Sequence, residues 1–178
     1  TYGLMAAAVY EGSPLIESTA RMRVIAAAAA VRGSLPLQDR VHLAEQQGVN
    51  RAHLTTTLST LRDVYGTDPA LRATFEPKAS AMHDTVTAFH ERIERAVTAA
   101  DAPDISTAEV RQLGERAIVA AVQVRALALA ELNQRLEARI ADEREAVFDH
   151  LGRMPEMERI ERARRGKAEV AHDVRCHS

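Results

Sequence analysis

Apolar positions along this chain recur every three to four residues, and the strict alternation of a half-buried strand never holds for long. Four helical segments carry the pattern. In the first, Ser13 suits an N-cap and Pro14 the first helical position, where its missing N–H costs nothing. Leu15, Met22, Ile25 and Ala29 then share a face until Gly33 stops the helix. The residues before Gly12 add a further turn or two. The second helix is expected from near Pro36 to Tyr65, with Leu54, Leu58, Leu61 and Tyr65 as its stripe and a kink at Gly48. Asp68 caps the third and Pro69 opens it; Met82, Val86, Phe89, Ile93 and Val97 form its face, and Pro77 should bend its first turns. The fourth starts at Ser106-Thr107-Ala108-Glu109, a capping box in which the two side chains satisfy each other's orphan backbone donors.

The fourth helix could run about 45 residues, roughly 65 Å, against about 20 to 30 residues for each of the others. Leu129, Leu132, Leu136, Ile140, Val147 and Leu151 keep a near-heptad seam through its far end. A seam needs a partner, and the same helix of a second copy is the simplest one. Short loops and one apolar stripe per helix suit an all-α, antiparallel up-down-up-down four-helix bundle over residues 1–151, with a long, overhanging last helix. Residues 152–178 then form a polar C-terminal extension, helical or disordered.

Composition narrows this picture. Aromatic residues are 3% of the 178 and Trp is absent, so the core must be thin, built by helices that approach closely over Ala and Leu. The formal net charge of −2 gives no basic excess for nucleic acid. Cys176 is the one cysteine, which rules out a disulfide within the chain. No stretch of about 18 apolar residues occurs, so membrane attachment would have to come from flanking segments. With Thr1 at its start and no signal sequence, the chain reads as an excised fragment or a mature form.

The segment "DAPDISTAEVRQLGERAIVAAVQVRALALAELNQRLEARIADERE" resembles the last helix of nitrate- and nitrite-sensing-type domains of bacterial chemoreceptors, sensor kinases and diguanylate cyclases. "NRAHLTTTLSTLRDVYGTDPALRATF" is similar to the end of their second helix and the start of their third. The resemblance spans roughly residues 13 to 151. It implies an extracytoplasmic (periplasmic) sensor domain of an inner-membrane protein, flanked by membrane helices, with a small anion held by arginines inside the bundle. Without flanking spans the location would be cytoplasmic. Where the family carries Glu-Arg-Gly this chain has Val31-Arg32-Gly33, and the polar "GRMPEMERIERARRGKAEVAHDVRCHS" follows the last helix in place of a membrane span.

Arg21, Arg23 and Arg125 are the candidate ligand-binding residues. Arg125 lies among Ala120, Ala121, Val122, Val124, Ala126 and Leu127, where a guanidinium must reach solvent or be paired. Its planar fork suits nitrate or a carboxylate; the competing reading is a snorkelling arginine with its head in water. If the first helix starts level with Ala130, Arg21 and Arg125 are offset by about three residues, roughly 4.5 Å. His83 and His90 sit beside core positions and, with His53, read as rim histidines. His42 and Glu45 have a spacing found in di-metal bundles but lack further inward carboxylates, so no metal is expected. "EVAHDVR", with His172 and Arg175, is similar to a histidine-kinase phosphoacceptor stretch, against a charged tail. No nucleophile elbow, phosphate loop or triad spacing is present, so neither catalysis nor a cofactor is expected. The expected function is a ligand-sensing input domain of a signalling receptor, homodimeric, binding a small molecule or small anion; the alternative is a structural or adaptor bundle that dimerises and binds another protein.

Overall fold

The computed structural model describes residues 2–153 apart from Thr67 and Asp101, together with positions 156, 158 and 160–162. Among the described residues every regular element is a helix. The chain divides into two units, Thr1–Gln134 and Arg135–Ser178.

The first unit opens with α1 (Tyr2–Met5), a π-helical stretch (Ala6–Glu11) and α2 (Gly12–Arg32) in unbroken succession. The helix therefore does not start at Ser13. Pro14 cannot give an α-helical hydrogen bond to the residue 10 carbonyl. The wider turn lies immediately before it, and Gly12 donates its N–H to the carbonyl of Ala7. A Cβ at Gly12 would stand 2.6 Å from that carbonyl oxygen, so only glycine fits the widened turn. Gly33 ends α2 in the left-handed region with φ 66°.

α3 (Leu37–Tyr65) runs without a break through Gly48. It lies back along α1 and α2. Arg32 bonds Asp39 at one end, Asn50 reaches Leu15, Ser18 and Thr19 midway, His53 meets Glu11, and the Val64 side chain covers Gly3 at the other end. α4 (Pro69–Ile93) is capped by Asp68, which accepts from the N–H groups of Ala70 and Leu71 at 3.0 and 3.2 Å. It runs through Pro77 and continues as a π turn, Glu94–Thr98. Arg40, in the first turns of α3, donates to the carbonyls of Thr98 and Ala100 and closes this end.

α5 spans Thr107–Arg153. Ser106 caps it, its Oγ accepting from the Glu109 N–H at 3.1 Å. The reciprocal half of the expected capping box is replaced: Arg92 on α4 donates to the Glu109 carboxylate through Nε (2.7 Å) and Nη2 (3.3 Å). That pairing holds the Glu109 carboxyl below and the Arg92 guanidinium above their usual ranges.

The core is as thin as its composition demands. Phe75, Phe89, Leu15, Met22, Leu43, Leu61, Met82 and Ile93 are fully buried, while α5 contributes only Val110, Val124 and the small residues Gly114, Ala117, Ala121 and Ala128. Leu129 and Leu132 still pack against this cluster.

In the second unit, every described residue from Leu136 onward is exposed, including Leu136, Ile140, Val147, Phe148 and Leu151. Residues 163–178, with His172, Arg175 and Cys176, lie outside the described residues. Among the described residues no helix is long and apolar enough to cross a membrane.

Candidate functional site

Seven residues of α3 follow a single stripe: Leu43, Gln47, Asn50, Leu54, Thr57, Leu61 and Tyr65, spaced three or four apart and all buried. Three of these positions are polar. A buried amide needs hydrogen bonds to offset its lost hydration. Asn50, fully buried, finds them on two neighbouring helices.

On α2, Ser18 donates to the carbonyl of Pro14 (2.8 Å) and Thr19 to that of Leu15 (2.7 Å), the i→i−4 bonds open to hydroxyls within a helix. With their hydrogens so engaged, both hydroxyls present lone pairs to α3. Asn50 Nδ2 donates to Ser18 Oγ (2.6 Å), Thr19 Oγ1 (2.8 Å) and the Leu15 carbonyl (3.0 Å). That orientation leaves Oδ1 facing α4, where His90 Nε2 lies 2.6 Å away. An amide oxygen only accepts, so Nε2 carries the hydrogen. One amide thus ties three helices together.

His90 is only 4% exposed and is a core residue, not the rim residue its spacing suggested. Its neighbour Phe89 is fully buried as well, so two successive positions of α4 face inward. Burial, and next the positive charge of Arg51, push the imidazole down from 6.5 to about 4. It is neutral at pH 7. With Nε2 protonated, Nδ1 is an acceptor, and it has no partner. Gln47 Nε2 and Thr57 Oγ1 are buried and unpartnered on the same stripe.

The His90 ring lines a groove of about 510 Å³ between α3 and α4, within the usual size of small-molecule sites. Arg51, Thr55 and Arg62 stand along its α3 wall, and His83, Thr87 and Glu91 along its α4 wall. Leu54 and Leu58 contribute the apolar part. Neither Arg51 nor Arg62 has a hydrogen-bond or ion-pair partner among the described residues. They are three helical turns apart, roughly 16 Å, so one small ligand meets one of them. Arg51 is the one whose charge reaches His90.

The arginines singled out from the sequence are not gathered at one point. Arg21 is exposed and pairs with Glu17 on its own helix. Arg23 lies half-buried against Gly114 and lines a second cavity, of about 490 Å³, with Arg111 and Glu115. Arg125 Nε donates to the carbonyl of Ala8 at 3.1 Å, and Arg125 Cβ is level with Gly12. Gly114 and Arg125 are three turns apart on α5, roughly 16 Å. The close offset expected between Arg21 and Arg125 does not occur, because the chain is helical from Tyr2 and Arg125 meets Gly12 and the π turn instead. His83 is exposed and pairs with Asp84. His42 and Glu45 are both exposed. Among the described residues no group of three or more His, Cys, Asp or Glu is placed to hold a metal ion.

Sequence reasoning missed Asn50, Ser18, Thr19 and Arg51. The available signal was the polar residues interrupting the stripe at Gln47, Asn50 and Thr57, which mark a buried polar network once the whole heptad is written out. Comparison with protein-family models, with curated proteins and with solved structures returns no match.

Proposed function

We propose that this chain is a ligand-sensing input domain, a four-helix bundle of up-down-up-down topology that binds a small polar ligand with an anionic group in the α3–α4 groove. The groove supports this reading by one feature above others. His90, whose buried ring is held neutral, lines it beside Arg51, whose guanidinium has no partner among the described residues. A titratable group strongly perturbed by burial and by a specific charge, at the wall of a cleft, is a mark of functional sites. The antiparallel pairing of α2 with α3, and the return of Arg125 to Ala8 and of Gly114 to Arg23, support the topology.

A transmission route is available. Glu91 and His90 line the groove, and Arg92, the next residue, holds Glu109 in the first turn of α5. A ligand that draws α4 toward Arg51 pulls on that pair and shifts α5. The resemblance to nitrate- and nitrite-sensing-type domains is in keeping with such a role and with a domain outside the cytoplasm. The adaptor reading draws on a different observation, the exposed Leu136, Ile140, Val147 and Leu151 on α5, which suit a parallel homodimer seam.

The test is thermal melting with nitrate and small carboxylates against chloride at equal ionic strength. Selective, saturable stabilisation that Arg51→Ala removes is expected. Equal effects of all salts would mean screening alone and would transfer support to the adaptor reading.

A further inference from the structure

The apolar stripe on the far part of α5 repeats every eleven residues, not every seven. Leu129, Ile140 and Leu151 are eleven apart, and so are Leu136 and Val147. Leu132 fills the remaining position of the first repeat and Glu143 that of the second. We infer that two copies of this chain pair in parallel and in register along this stripe, as a nearly straight or slightly right-handed helix pair with Glu143 as its one polar layer. This pairing rests on the stripe being the self-association seam of the adaptor reading, and is independent of the groove.

The period changes within the helix itself. In the first unit α5 buries Val110, Gly114, Ala117, Ala121, Val124 and Ala128, in alternating steps of four and three. Seven residues fall about 20° short of two whole turns, so such a stripe winds a helix pair left-handed. Carried on, it would reach Glu131, Arg135, Ala138 and Asp142, three of them charged. The leucines take over instead, in steps of three, four and four. Eleven residues overshoot three turns by about 20°, and the stripe winds the other way. Its members Leu136, Ile140, Val147 and Leu151 are all exposed.

A second copy is the occupant that matches. A partner helix with a seven-residue stripe would drift out of phase with this one. Two copies side by side keep one phase and bring each layer against its own kind over the 22 residues from Leu129 to Leu151, about three heptads in length. An antiparallel copy can match Leu136 with Leu151 and Ile140 with Val147. It leaves Leu129 and Leu132, only partly buried against the core, beyond the end of the other stripe. Glu143 is also provided for. Arg139 and Arg144 border the stripe on opposite sides, and Arg139 Nη2 donates to the Glu143 carboxylate at 3.3 Å. In the parallel pair the Arg144 of the second copy closes on the other side of that carboxylate, and symmetry repeats the contact. Such a polar layer lowers stability and specifies register.

The experiment places single cysteines in the whole chain carrying Cys176→Ser and times disulfide-linked dimer formation under mild oxidation. Val147→Cys and Leu151→Cys should link several-fold faster than Ala146→Cys and His150→Cys. A seven-residue stripe continued from Leu129 reverses that order, because Ala146 and His150 then face the partner. Glu143→Leu, at an exposed position, should tighten the dimer about tenfold in analytical ultracentrifugation, as an apolar layer replaces an ionic one. Faster linking at 146 and 150 would overturn the eleven-residue pairing and leave the seam standing. Ile140→Cys chains linking to Val147→Cys chains, with neither linking to itself, would overturn the parallel orientation. A dimer weakened by Glu143→Leu would take that residue out of the seam and overturn the polar layer. A chain that stays monomeric at high concentration would overturn both this pairing and the seam.

Discussion

Truncating Asn50 to Ala isolates one buried hydrogen bond whose loss can be worked out atom by atom. Ser18 and Thr19 keep their own donors on backbone carbonyls, and the Leu15 carbonyl keeps the Thr19 hydroxyl. The group left stranded is the Nε2–H of His90, fully enclosed and with no other acceptor. A stranded buried donor costs about 1–3 kcal/mol, and the space left by the amide adds about 1 kcal/mol more. Asn50→Ala should therefore lose about 2–4 kcal/mol. His90→Leu strands the other partner, Asn50 Oδ1, and should cost a similar amount. Asn50→Leu combined with His90→Leu strands neither, because both partners are then apolar. The cycle built from Asn50→Leu, His90→Leu and their combination should thus be non-additive by at least ~1.5 kcal/mol, with the double variant more stable than the sum predicts. Urea unfolding at constant m-value reads this directly. Additivity within about 0.5 kcal/mol would mean the two side chains do not share a bond, and the tautomer argument would fall with it.

The same histidine sets a pH dependence. Its value falls from 6.5 in the unfolded chain to about 4 in the fold, so the unfolded state binds the proton more readily between those limits. The contribution is complete above pH 6.5 and is lost as pH falls toward 4. It amounts to about 3 kcal/mol, and the difference between wild type and His90→Leu across that window measures it. Gly48→Ala should stabilise by about 0.5–1 kcal/mol, since a Cβ there meets nothing within 4 Å and the helix gains propensity. Gly12→Ala should instead destabilise by more than ~1 kcal/mol, because its Cβ would be forced against the Ala7 carbonyl oxygen. Thermal melting of the two variants side by side should show opposite signs. Leu136→Asp with Ile140→Asp should convert a concentration-dependent dimer to monomer in light scattering while leaving helicity largely intact; a wild type monomeric at high concentration would refute the seam.

What the sequence disclosed and what it hid divide along one line. Apolar periodicity, caps and stops are local, and they are legible: Gly33, Asp68 and Ser106 punctuate the helices, and Met82, Val86, Phe89, Ile93 and Val97 are all buried. The misplaced start at Ser13 shows the limit of local rules, because a π turn can absorb a proline that an α turn cannot. The site was illegible for a different reason. Asn50, His90, Ser18 and Thr19 are distributed over three helices and look unremarkable in any one of them. Cations drew attention because they are conspicuous in an apolar run. Yet Arg125 is tied to a π-turn carbonyl and Arg21 to a surface carboxylate. A core this rich in alanine explains why a polar hub is needed at all. Small side chains let helices approach closely but define no register, since one alanine packs much like another a turn away. An amide that must meet two hydroxyls on α2 and a ring nitrogen on α4 at once permits a single register. Fixing that register also fixes the tautomer of His90, so the requirement that aligns the helices is the one that leaves its Nδ1 a buried acceptor without a partner.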